Sequence, residues 1–291
     1  MRIGLVQAVF PAGKLAENYK TITNFARQAQ AAGVELLCFP ELALTGYCRT
    51  TAKDLDFAAV EKYVGVQNSQ ERKGAAAATT LLAVAFCKNL RDLARQLKLA
   101  LVVGAVEKAA DKLYITTYIC DRDGQIYQYR KTHPGKREAE IFAAGEELQV
   151  FTLAGGAKVG VLSCSDNHYP EAAQTLALRG ARLILAPFAV PGKISARHKI
   201  WNKYLLARAY DNRVFVAAVN QLGLTASGKT FAGGAVVYNP RGEVVAENFT
   251  GAPGLLVADV DLAAAEKYWQ PQDGSSHNLC FPLVRKPELY K

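Results

Sequence analysis

One order of strand and helix signals occurs twice along this chain, and that repetition limits the folds open to it more than any other feature. The first pass opens with the strand Ile3-Gly4-Leu5-Val6-Gln7 and a helical stretch from about Leu15 to Ala32. The strand Val34–Phe39 follows and stops at Pro40. A further helical segment ends near Leu97, and the strand Leu99–Val103 comes next. A hairpin closes the pass: Leu113–Cys120, the turn Asp121-Arg122-Asp123-Gly124, then Gln125–Arg130. The second pass repeats this with Lys158–Ser163, a helix from Pro170 to Arg179, and Ala181–Ala186 running into Pro187. A helix from about Ser195 to Asn212 and the strand Val214–Val219 follow. The closing hairpin pairs Gly234–Tyr238 with Glu243–Glu247 around Asn239-Pro240-Arg241-Gly242.

Strands alternating with helices imply βαβ crossovers, and each hairpin adds antiparallel pairing, so the fold class is α/β with mixed sheets. Two such halves can pack sheet against sheet as an α/β/β/α sandwich, or join into one doubly wound sheet. Periodicity does not choose between them. Both arrangements place ligands beyond the carboxyl ends of the strands.

A chain of 291 residues, 50% hydrophobic and 21% charged, buries a sizeable core and is not disordered. Its apolar runs, such as Leu183–Val190, are too short to span a bilayer, and Met1–Val6 reads as a strand rather than a signal segment. The expected location is the cytoplasm. The six cysteines form no CxxC pair, so neither a zinc ribbon nor a redox motif is signalled, and free thiols are expected. The net charge of +9 invites a nucleic-acid reading. Much of the excess, Lys193, Arg197, Lys199, Lys203 and Arg208, recurs at helical spacing beside Trp201, Tyr204 and Leu205, which predicts a solvated helix face. No nucleic-acid-binding pattern accompanies it.

Three polar residues stand at strand ends: Glu41 after Val34–Phe39, Lys131 after the hairpin strand ending in Arg130, and Cys164 after Val159–Ser163. Each alone has an ordinary structural explanation; together they point to chemistry. A thiol becomes a nucleophile when a base takes its proton or a positive charge stabilises the thiolate. A buried carboxylate with a lysine beside it supplies both.

Pro40-Glu41-Leu42-Ala43-Leu44-Thr45-Gly46-Tyr47, Tyr129-Arg130-Lys131-Thr132-His133 and Cys164-Ser165-Asp166-Asn167-His168-Tyr169-Pro170-Glu171 closely resemble the glutamate, lysine and cysteine motifs of the nitrilase superfamily of carbon–nitrogen hydrolases. Ala207-Arg208-Ala209-Tyr210-Asp211-Asn212 resembles a later stretch of the same family. The resemblance runs from Met1 to about Asp261, giving a domain at 1–261 and a tail at 262–291 that packs on the domain or across a dimer interface. It implies an α/β/β/α sandwich, commonly a homodimer, with a Glu-Lys-Cys triad and neither metal nor organic cofactor. In that mechanism Glu41 takes the thiol proton, the Cys164 sulfur attacks the amide carbon, and Lys131 with the N–H after Cys164 holds the oxyanion. Many members carry a second glutamate; Glu138 is the best match, with Glu140 blurring the register. Tyr47, Ser165, Asn167 and His168 are the expected substrate-contacting residues.

The substrate expected from this resemblance is a small linear amide or N-carbamoyl compound. Cys164-Ser165-Asp166 stands where true nitrilases typically show Cys-Trp-Glu, which disfavours nitriles. Asp211 replaces a common glutamate and Ala235 a common serine. The stretch from Val64 to Thr80 reads as an inserted surface loop. Two readings from other classes are weighed. Gly223–Thr230 matches the phosphate-binding pattern GxxxxGK[ST], but that pattern works only when a helix follows, and Phe231–Pro240 reads as strand and turn. A silent binding module usually lacks a triad residue, and all three are present here.

Overall fold

The computed structural model describes residues 1–47, 49–65, 89–225, 228–270 and 280–289. The strands of the first pass are β1 (Arg2–Gln7), β2 (Leu36–Cys38), β3 (Ala100–Ala109), β4 (Lys112–Cys120) and β5 (Ile126–Arg130), interleaved with α1 (Leu15–Ala31), α2 (Phe57–Val64) and α3 (Leu90–Leu97). In the second pass come β6 (Val150–Thr152), β7 (Lys158–Val161), α4 (Pro170–Leu178), β8 (Leu183–Phe188), α5 (Ile194–Asn212) and β9 (Phe215–Asn220). The short strands β10 (Leu222–Leu224) and β11 (Thr230–Ala232) precede β12 (Ala235–Tyr238), β13 (Val244–Asn248) and β14 (Gly254–Asp259). The tail contributes α6 (Leu262–Lys267) and α7 (Phe281–Val284).

Twelve of these strands form two sheets of the same plan. One runs β14-β1-β2-β3-β4-β5 and the other β13-β12-β9-β8-β7-β6. Each has a parallel triplet, β1-β2-β3 or β7-β8-β9, extended on one side by a hairpin and capped on the other by one antiparallel strand. The capping strands β14 and β6 make the sheets equivalent, yet β14 reaches the first sheet from the far end of the domain.

Burial decides between sandwich and continuous sheet. Ile3, Leu5, Leu36, Cys38 and Val102 of the first sheet share one buried cluster with Val159, Val161, Leu183, Leu185 and Ala217 of the second. Their chain neighbours point the other way. Val6, Leu37, Phe39 and Leu101 pack with Ile22, Ala26, Val60 and Leu93 of α1, α2 and α3. On the opposite side, Ile184, Ala186, Val216 and Ala218 pack with Leu176, Trp201 and Leu205 of α4 and α5. The central strands are buried on both faces, which is why they read as unbroken apolar runs. The architecture is the four-layer α/β/β/α sandwich.

Two expectations are corrected, for β8 and α5, and the rejection of the phosphate-loop pattern is borne out. The strand Ala181–Ala186 continues through Pro187 to Phe188 as β8. Leu162 N–H donates to Leu185 O, so Pro187, two residues on, turns its hydrogen-free nitrogen to the same side, beyond the end of β7. The phosphate-loop pattern is an antiparallel pair: Leu222–Leu224 lies against Thr230–Ala232, and Thr230 opens a strand instead of a helix. That excludes the nucleotide-binding reading of Gly223–Thr230. The solvated-face reading of α5 holds for Lys193, Lys199 and Lys203 but fails for Arg197 and Arg208, each only 9% exposed.

Beyond Val64 and Gly65, the segment read as a surface loop lies outside the described residues. The described part of the tail rests on the chain's own helices: Phe281 meets the Tyr210 ring at 5.9 Å, and Arg285 donates to Gln174 Oε1 at 3.1 Å. No helix among the described residues is long and apolar enough to cross a membrane.

Candidate active site

Glu41 and Cys164 each enter the site through a tight turn after a parallel strand. In the first turn Leu42 takes a positive φ of 58°, and in the second Cys164 itself does so at 49°. Such backbone costs roughly 1 kcal/mol for a residue with a Cβ and persists where packing over-determines it. At the glutamate turn the packing is visible: Leu44 N–H donates to Gly104 O at 2.9 Å, and a Cβ on Gly104 would stand 2.4 Å from Leu42 N. Only glycine lets β3 approach this closely.

Lys131 follows β5, its N–H donating to Ile115 O and its carbonyl accepting from Gly145 N–H, both at 2.8 Å. Its side chain, 1% exposed, runs inward and donates to Glu41 Oε1 at 2.8 Å and to Glu138 Oε2 at 2.7 Å. Glu138 also accepts from Gly135 N–H at 2.7 Å and from the Tyr47 hydroxyl at 2.9 Å. Glu140 is exposed, and of the two neighbouring glutamates it is Glu138 whose carboxylate reaches Lys131.

The two carboxylates of this cluster are driven apart electrostatically. Burial pushes Glu41 above its ordinary range, opposed by Lys131 and reinforced by the negative charge of Glu138. Burial would raise Glu138 as well, but Lys131 and the donors Gly135 and Tyr47 hold it below the usual value. Burial depresses Lys131, yet the Glu41, Cys164 and Glu138 charges outweigh that and keep it protonated. Glu41 Oε1 is engaged by Lys131 and by the Ser163 hydroxyl at 2.9 Å, whereas its buried Oε2 has no partner. Burial, then Glu41, push the Cys164 thiol up, while Lys131 and Arg197 draw it down.

Asp166, two residues after Cys164, is fully buried and was not foreseen as a site residue. Its Oδ2 accepts from Tyr129 OH at 2.7 Å and Ser163 N–H at 2.9 Å. Its Oδ1 accepts from Thr132 Oγ1 at 2.9 Å and His133 N–H at 2.8 Å, with His133 Nδ1 at 3.0 Å. One carboxylate thus ties the lysine segment to the cysteine turn. The detectable sequence signal was Ser163-x-x-Asp166, a capping-box spacing. Replacing Asp166 with Ala strands these donors without an acceptor. The expected loss is about 3 kcal/mol, read as a fall of roughly 5–10 °C in melting temperature by calorimetry. An unchanged melting temperature would remove Asp166 from this role.

The expected substrate-contacting residues separate. Tyr47 faces Glu138 and packs edge-on to Phe231 at 5.9 Å. Ser165 donates its hydroxyl to His133 O. Asn167 is fully buried and spends its amide hydrogens on Leu162 O at 2.7 Å and Cys164 O at 3.2 Å, so it braces the turn from within. His168 is exposed, with its ring 4.5 Å from that of Tyr204. His133 stacks on Tyr169 at 3.9 Å. Among the described residues no group of three or more His, Cys, Asp or Glu is arranged to hold a metal ion.

The carbon-nitrogen hydrolase family model matches residues 2–270. The chain belongs to the carbon–nitrogen hydrolase family. Among its relatives in that family is a nitrilase of Pyrococcus abyssi, 30% identical over 84% of this chain and 84% of its own length. An N-carbamoylputrescine amidase of Solanum tuberosum is 28% identical over 95% of this chain and 89% of its own. Among solved structures, a variant of the amidase from Nesterenkonia sp. AN1 superposes with a TM-score of 0.75 at 27% identity, covering 99% of this chain and 95% of that one. It carries the acetamide moiety of fluoroacetamide added covalently at its active-site cysteine. As a carbon–nitrogen hydrolase, the chain has its glutamate, lysine and cysteine motifs converging on one buried cluster.

Proposed function

We propose that this protein hydrolyses the C–N bond of a small linear amide or N-carbamoyl compound through a thioester on Cys164. The observation that carries the reading is the open Oε2 of Glu41, in a cluster where the other carboxylate is already paired with Lys131. Glu41 takes the Cys164 proton on that oxygen as the sulfur attacks the carbonyl carbon. Lys131 and the Ser165 N–H receive the oxyanion. As the tetrahedral adduct collapses, the C–N bond breaks and Glu41 returns its proton to the departing nitrogen, which leaves as ammonia or an amine. Water, deprotonated by Glu41, then attacks the thioester and releases the acid product and the thiol. Glu138 stays ionised and holds Lys131 in place.

The test is ammonia or amine release from a panel of aliphatic amides, N-carbamoyl compounds and nitriles. Turnover of amides or N-carbamoyl compounds is expected, and its absence across both classes would sink the proposal. Nitrile hydrolysis is the second reading, favoured by the Pyrococcus relative. Turnover confined to nitriles would select it.

Glu41 acts as base only when ionised, so activity rises with pH as its raised pKa is passed. The acid limb of kcat/KM is therefore expected above the ordinary carboxylate range. The charge of Glu138 helps raise Glu41, so Glu138→Gln should move that limb to lower pH while also lowering kcat. A limb that stays in place would separate Glu138 from the titration of Glu41.

A further inference from the structure

Arg197 and Cys164 follow the carboxyl ends of adjacent parallel strands. Cys164 comes after β7, and Arg197 lies in the first turn of α5, which comes after β8. α5 packs against the short helix Cys164–His168, and Cys164 and Tyr204 border the same apolar cluster as Trp201. Residues 197, 201, 204 and 208 share one face of α5 at spacings of four, three and four.

This face is rich in donors that lack acceptors. Arg208 is committed, its Nε donating to Asn167 O at 3.1 Å and its Nη2 to His168 O at 3.4 Å. Arg197 is not. It is only 9% exposed, its guanidinium lies 5.8 Å from the centre of the Trp201 ring, and its Nε has no partner. No described carboxylate lies within ion-pair distance of it. The Tyr204 hydroxyl and the neighbouring Trp201 indole N–H are likewise buried without a hydrogen bond. A guanidinium held out of water without an ion-pair partner is costly, because burial penalises its charge and the neighbouring Tyr204 and Cys164 groups offset that only in part. A planar anion at this place would satisfy the fork of Arg197 and give the Tyr204 hydroxyl an acceptor at the same time.

We infer that the substrate carries a carboxylate on the arm opposite its scissile amide or carbamoyl group, and that Arg197 with Tyr204 binds that carboxylate beside Cys164. This rests on the amide-hydrolase reading and narrows it to acidic ω-amides or N-carbamoyl amino acids. The same cation repels an ammonium-bearing substrate. Arg197 therefore acts in specificity, by contact with the substrate's far end, and takes no part in bond breaking.

Three substrates of matched length isolate the arm: succinamate ends in a carboxylate, butyramide in a methyl group, and β-alaninamide in an ammonium. For the natural enzyme, kcat/KM is expected to fall in that order. Arg197→Gln should lower the succinamate-to-butyramide ratio by roughly 100-fold, mainly through KM, with Arg197→Lys recovering part of it. Tyr204→Phe should lower the ratio by about 5–10-fold. Succinamate binding to Cys164→Ala, followed by calorimetry, should weaken in parallel when Arg197→Gln is added. Similar turnover of all three substrates, with a ratio indifferent to Arg197→Gln, overturns this inference and leaves the amide-hydrolase reading standing. Failure of the natural enzyme to turn over any of the three, together with no binding of succinamate to Cys164→Ala, overturns this inference. Failure across the wider panel of amides and N-carbamoyl compounds as well overturns the underlying reading.

Discussion

Replacing Cys164 with alanine should lower amide turnover by at least about 10⁴-fold, because no other group at the site can form the thioester. The variant keeps a Cβ at φ 49°, so the turn bears the same strain and the fold should persist. Lys131, Glu41 and Glu138 stay paired around it, which leaves substrate binding measurable in the absence of chemistry. Fluoroacetamide gives an independent readout: a thiolate displaces fluoride, and digestion with mass mapping should find the adduct on the Cys164 peptide of the natural protein. The Nesterenkonia amidase variant shows that this reagent reaches the cysteine of a related site. Activity retained in Cys164→Ala, in protein shown to be folded and free of contaminating amidase, would end the proposed mechanism.

Glu41→Gln is expected to cost about 10³-fold in kcat, near the middle of the range for removing a positioned acid–base group. Glutamine still offers an acceptor to Lys131 and to the Ser163 hydroxyl, so geometry is kept while proton transfer is lost. The fold should not suffer, since the ionised carboxylate is itself penalised by burial. A melting temperature unchanged or raised, alongside collapsed turnover, would separate a catalytic role from a structural one. If turnover fell only as far as stability did, Glu41 would be a structural carboxylate. Both steps of the mechanism pass through this residue, so acylation and thioester hydrolysis should slow together. A pre-steady-state burst surviving in Glu41→Gln would contradict that.

The elements most legible in the sequence were those governed by local pattern. Apolar runs of strand length, hairpin turns such as Asp121-Arg122-Asp123-Gly124, and proline at Pro40 located the strands to within a few residues. Pro187 misled because proline stops a strand only when both sides are occupied, and β7 ends before reaching it. β6 and β14 were harder for a different reason. A three-residue strand has almost no periodicity, and nothing local to Gly254–Asp259 says that its partner is β1, some 250 residues earlier.

The same division runs through the site. Glu41, Lys131 and Cys164 could be named because each closes a strand and sits in a distinctive run of residues. Glu138 could be named only alongside Glu140, since choosing between them depends on which side chain reaches Lys131. Asp166 passed unnoticed because most of its donors come from the end of β5 and the residues just after it, more than thirty residues earlier. Arg197 was misplaced on a solvated face because helical spacing gives a residue's direction, whereas burial depends on what packs there.

By itself the sequence determined which segments are strands and helices, that they come in two like halves, and which three side chains to propose for the chemistry. Local steric preference and the periodicity of burial act over a few residues, and so can be read there. The tertiary structure alone decided that the halves stack face to face, that β14 crosses to the first sheet, and that Glu41 and Glu138 share one lysine with their proton affinities driven apart. Those outcomes depend on dielectric and on distances between groups from 90 to some 250 residues apart in sequence. Neither quantity exists until the two sheets have closed on each other.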